Sequence, residues 1–110
     1  MKQLRRAASL ADVRREHPQV RVVAGAGSKR ATIAAFYRAV EAPSWASPNL
    51  DGLADVLGDL SWLPARGVTL AWIDRDAVPK EPRRQIIRIL EDVAAESATS
   101  AHPIVVYLVD

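Results

Sequence analysis

The six residues Val68-Thr69-Leu70-Ala71-Trp72-Ile73 carry almost no polar surface between Gly67 and Asp74. A strand with one solvated face alternates apolar and polar residues. A nearly continuous apolar strand is instead buried on both faces, as in parallel sheets. Parallel neighbours need crossovers of a dozen or more residues, usually helical. The chain supplies them. Residues 82–97 read as the longest helix, with Pro82 at its first position and Ile86, Leu90, Val93 and Ala94 turned inward. Pro103 precedes a last strand over 104–109, and the β-branched run Val20 to Ala24, bounded by Gly25, reads as the first.

Between the first two strands, Gly27 and Ser28 open a helix to about Val40, with Ile33, Phe36, Tyr37 and Val40 on its apolar face. Pro43 stops it. A loop over 41–48 follows, then a second helix over 49–58 closed by Ser61-Trp62-Leu63-Pro64, with Trp62 expected in the core. Ahead of the first strand, Ser9-Leu10-Ala11-Asp12 has capping-box spacing and Pro18 is a stop, which predicts a short helix over 9–16. Residues 1–8 are basic and Ala-rich, with little apolar surface to bury; they read as a frayed, dispensable tail. The expectation is an α/β fold: a small three-stranded parallel sheet packed with helices, plus a short N-terminal helix. Residues 1–19 form a basic tail and short helix, and residues 20–110 the domain. At 110 residues and 49% apolar, the chain can bury one core without staples.

The second helix sorts its residues by face. Leu50, Leu53, Leu57 and Leu60 recur at helical spacing on one side. Asp51, Asp55 and Asp59 fall four apart on another, with no Lys or Arg among them. Asn49 is a good N-cap, because its side-chain oxygen can accept from an orphan backbone N–H. Aspartates on an exposed face are ordinarily solvation alone, and Asp51 in the first turn also complements the helix dipole. Yet like charges four apart each cost an isolated helix roughly 0.2–0.5 kcal/mol. A partner of opposite charge would gain from the arrangement; the fold does not.

The net charge of +2 conceals blocks. Residues 1–38 hold nine Lys/Arg against Asp12 and Glu16, whereas residues 39–62 hold Glu41, Asp51, Asp55 and Asp59 with no cation. Residues 89–110 again hold only acids: Glu91, Asp92, Glu96 and Asp110. Two acidic blocks meeting in the fold would give one acidic face on a mildly basic molecule.

Pro43-x-Trp45 followed by Asn49-Leu50-Asp51-Gly52-Leu53-Ala54-Asp55-Val56-Leu57 resembles the signature of the barstar family, P-x-[aromatic]-x-x-x-N-x-D-A-L-x-D-x-L. The similarity extends from about Val20 to the C-terminus, so the domain over 20–110 is expected to be barstar-like. The family's pattern also carries acids late in the last helix, where Asp92 and Glu96 stand. The resemblance implies an inhibitor of antitoxin or immunity type, binding a basic, extracellular-type ribonuclease and blocking its active site. By that resemblance Asp55 takes the place of a substrate phosphate and Asp51 pairs with cations on the rim. Trp45 packs on the nuclease, Asn49 holds loop and helix in register, and Asp92 matches the acidic position of the last helix. There are departures. Ala54 replaces a large aromatic of the type member, and Ser47 and Pro48 replace a glycine and an acidic residue. The alternative is a non-inhibitory binding module that turns the same acidic face to a different basic protein.

Other chemistry finds little support. With no cysteine and only His17 and His102, neither a disulfide framework nor a His/Cys metal site is expected. A stripe of aspartates along one helix does not surround a cation. The turn Gly25-Ala26-Gly27-Ser28-Lys29-Arg30 lacks the third glycine of a dinucleotide fingerprint and the spacing of a P-loop. A nucleotide-binding enzyme using that turn is the weakest of three open readings. The basic N-terminal third lacks interleaved aromatics, so direct nucleic-acid binding is not expected. No apolar run approaches the ~20 residues of a membrane span, and no secretory signal is recognisable. No cofactor is expected, and the protein reads as cytoplasmic, non-enzymatic and monomeric until bound.

Overall fold

A computed structural model describes residues 4–64 and 66–110. The elements run β1 Leu4–Ala7, α1 Leu10–Glu16, β2 Arg21–Ala24, α2 Lys29–Ala39, α3 Leu50–Asp59, β3 Val68–Ile73, a 3-10 turn Arg75–Ala77, α4 Lys80–Ser97 and β4 Ile104–Val109. The sheet is parallel throughout and has four strands, in the order β1-β4-β3-β2. The expected three strands are thus one short. Leu4–Ala7, read as part of a frayed tail, pairs with β4 in the register Leu4↔Val106 to Ala7↔Val109.

The order explains the layering. The β1-to-β2 crossover spans the whole sheet in one direction, and the next two crossovers step back in the other. Right-handed connections therefore place α1 on one face and α2, α3 and α4 on the opposite one. The larger core lies on the three-helix face, where Ile33, Phe36, Leu53, Leu57, Ile86 and Leu90 meet Leu70, Trp72, Val106 and Leu108, all almost fully buried. Phe36 stands edge-on to Trp72, with ring centroids 5.3 Å apart. Each such side chain contributes about 1.5–3 kcal/mol on full burial. On the other face Val13 of α1 covers Ala71, Tyr107 and Val109. The Tyr107 hydroxyl meets His17 Nε2 at 3.0 Å and accepts from the Arg5 guanidinium at 3.4 Å. β1 and the end of α1 are thereby tied to β4.

Local chemistry sets the helix ends. Ser9, Ser28 and Asn49 each cap a helix through the side-chain oxygen. α4 begins two residues earlier than expected, so Pro82 occupies its third position rather than its first. Proline is tolerated there, since the first four N–H groups of a helix lack partners in any case.

Candidate protein-interaction face

α3 is built as an amphipathic plate. Asn49 Oδ1 accepts from Gly52 N–H at 2.7 Å and fixes the first turn. Leu53, Val56 and Leu57 are buried against the core, while Leu50 is only half-buried. Leu60, in the left-handed conformation at φ 56°, ends the helix and turns its side chain into the core. Asp51, Asp55 and Asp59 are left exposed. α4 packs beside α3 on the same side of the sheet. It exposes Asp92 and Glu96 above the buried Leu90, Val93, Ala94 and Ser97.

Five carboxylates elsewhere find cations, whereas Glu16, Asp74 and Glu91 are in no ion pair among the described residues. Asp12 pairs with Arg15, Glu41 with Arg21, Asp76 with Arg83, Glu81 with Arg84, and Asp110 with both Arg6 and Arg75. Asp51, Asp55, Asp59, Asp92 and Glu96 have no cationic partner among the described residues. α3 therefore carries negative charge with no cation of its own, while α4 gathers Asp92 and Glu96 in its last turns and Lys80, Arg83, Arg84 and Arg88 in its first half.

The loop before α3 completes the face. Trp45 is 56% exposed, and its ring stands edge-on to Trp62. Trp62 is half-buried rather than sunk in the core, and its Nε1–H donates to the Val40 carbonyl at 2.9 Å. Bonds near both ends hold the loop. Arg21 reaches the Ala39 carbonyl and Glu41, each at 2.9 Å, and Asn49 N–H donates to the Ser47 carbonyl at 2.8 Å.

Tyr37 is the residue that sequence reasoning assigned only to an apolar helix face. Its hydroxyl donates to the Ser47 carbonyl. Burial, and secondarily the nearby Asp55 carboxylate, raise its pKa above the ordinary phenol value, since both disfavour the phenolate. The one available signal was its place near the end of α2, where a tyrosine can bury its ring and send its polar tip to the loop.

The Gly25 turn is occupied by its own chain. Gly25 N–H donates to the Ile73 carbonyl at 2.8 Å, and Ala26 N–H to Thr32 Oγ1 at 3.2 Å. A cleft of about 700 Å³ opens at the carboxyl ends of the strands, bordered by Ser9, Gly25, Asp74, Arg75, Asp76 and Asp110. Arg75 there is held by Asp110, and Asp76 is held by Arg83. The cleft shares no residue with the acidic face. Among the described residues no group of three or more His, Asp or Glu could hold a metal ion, and no helix is long and apolar enough to cross a membrane.

The fold is a small, fully parallel α/β domain that exposes the aspartates of α3 and, near the end of α4, Asp92 and Glu96. The family model described as Barstar (barnase inhibitor) matches residues 18–109, and the chain belongs to that family. A search of curated proteins finds no match.

Proposed function

We propose that this protein is an antitoxin-type inhibitor that inserts α3 and the preceding loop into the active-site cleft of a basic ribonuclease. The observation that carries this reading is the set of unpaired carboxylates on α3 and α4 beside the exposed Trp45. A ribonuclease cleft presents Arg, Lys and His to the phosphates of RNA. A rigid helix offering Asp55 centrally and Asp51 one turn earlier supplies carboxylates for the same cations, joined by charge-assisted hydrogen bonds. Asp92 and Glu96 extend the negative potential and steer the encounter. Trp45 supplies the apolar anchor that binding hot spots favour. Asn49 spends its side chain on the helix cap and so sets the angle between loop and helix.

The same face argues against direct binding of RNA, whose phosphates it would repel. The cysteine-free chain suits the reducing cytoplasm. We read residues 1–19 as an addition to a family domain at 20–110, in line with a match that starts at residue 18. A non-inhibitory module with a different basic partner is the second reading. It draws on Ala54, Ser47 and Pro48, which alter the contact surface relative to the family's type member.

The deciding experiment follows RNA cleavage by barnase at increasing concentrations of this protein. Loss of activity that completes at one equivalent supports the inhibitor. Full activity at excess inhibitor, with binding still detected by calorimetry, supports the second reading.

A further inference from the structure

We infer that Tyr37 is a positioning residue that holds the recognition loop in its binding conformation before any partner arrives, with Gly52 providing the space in which it does so. The inference rests on the acidic helix and its loop being the binding face. Tyr37 lies on α2, outside that face, yet its hydroxyl donates to the carbonyl of Ser47, two residues from exposed Trp45 and two before the Asn49 cap. The same carbonyl accepts from Asn49 N–H at 2.8 Å, so one oxygen ties α2, the loop and the start of α3 together.

Gly52 makes that convergence sterically possible. A Cβ at this position would overlap the Ser47 carbonyl oxygen and stand 2.8 Å from the Tyr37 hydroxyl. The loop thus lies closer to the first turn of α3 than any other residue at position 52 allows. Ala42 N–H also donates to the Tyr37 carbonyl at 2.9 Å, so Tyr37 grips the loop near its entry as well as near its exit. A loop held at both ends loses little conformational freedom on docking, and a preorganised surface keeps more of its contact energy as affinity.

The test uses Tyr37→Phe, Gly52→Ala and the double variant in the full chain. Tyr37→Phe keeps the ring and removes only the donor. In the free protein, hydrogen exchange at Ala46 and Asn49 N–H should quicken, and acrylamide should quench the Trp45–Trp62 pair more readily; Trp72 is fully buried and contributes little to that signal. Against barnase as probe, affinity should fall about five- to tenfold, on the scale of one net hydrogen bond. Gly52→Ala should weaken binding too, although alanine is the better helix former. Because it already expels Ser47, adding Tyr37→Phe to it should cost less than a further twofold, a coupling that independent sites do not show.

Unchanged loop exchange and quenching in Tyr37→Phe would overturn the inference, whether or not barnase binds. So would losses that multiply in the double variant. Failure of the wild-type protein to bind barnase, with the loop loosened in Tyr37→Phe, would instead remove the choice of partner and leave the positioning role established.

Discussion

Trp45 and Trp62 stand edge to face, with ring centroids 6.0 Å apart and planes at 85°. Trp62 is fixed in turn by its bond to the Val40 carbonyl. An exposed indole is thus held upright by a half-buried one, with the preferred geometry of an aromatic pair. The pairing accounts for a large apolar side chain kept out of the core. Trp45→Ala should reduce affinity for the partner by about 2 kcal/mol or more, as central aromatic anchors do. The melting temperature should fall by only a few degrees, because more than half of the residue is exposed and the loss is confined to its pairing with Trp62. Calorimetric titration and thermal unfolding of the same sample separate the two effects.

Tyr37 provides a pH signature of the loop. Its pKa is raised by burial first and by the Asp55 carboxylate second. A folded-state pKa above the unfolded one stabilises the protein fully below about pH 10, and that contribution is lost as pH rises through the folded value. Ultraviolet absorbance of the phenolate, with Tyr37→Phe subtracting the other tyrosine, should show a midpoint above that of a free phenol. Asp55→Asn should lower the midpoint without bringing it to the free value, since burial persists.

Residues 1–7 should matter for stability. Their removal uncovers the β4 edge and takes away Leu4, packed on the main core, and Ala7, packed on the smaller one. It also frees the Tyr107 hydroxyl from Arg5. A loss of one or more kcal/mol should lower the melting temperature by about 5 °C or more, readable by circular dichroism.

The sequence made the central fold legible and its margins less so. Val68–Ile73 and Ile104–Val109 announce themselves because strands buried on both faces need unbroken apolar runs. Leu4–Ala7 does not. Two of its four residues are arginines, as charged side chains commonly mark edge strands, and its pairing partner lies about a hundred residues away. Composition alone therefore gives a basic tail. The acidic helix was readable because Asp51, Asp55 and Asp59 repeat at helical spacing. The Tyr37–Ser47–Gly52 convergence was not, for it depends on how closely two elements approach, and no periodicity encodes that distance.

Association should slow as salt rises. The carboxylates of α3 and α4 are exposed, so their attraction for a basic cleft is screened beyond a Debye length of about 8 Å at physiological ionic strength. Stopped-flow association rates should fall steeply between low and physiological salt, while dissociation rates change little.

The most direct measurement is the binding kinetics of wild type, Asp55→Ala and Asp59→Ala against the same ribonuclease. Asp55 lies within electrostatic reach of Tyr37 at the middle of the face, whereas Asp59 sits a turn away and already accepts from Ser61 N–H at 3.2 Å. With α3 in the cleft, Asp55→Ala leaves the partner's cations buried without their anion. The cost should be on the order of 2–5 kcal/mol, the general range for truncating such a pair, and should appear mainly in the dissociation rate. Asp59→Ala should cost well under ~1 kcal/mol, as exposed ion pairs do. Equal, small losses for the two variants would contradict insertion of α3 into the cleft.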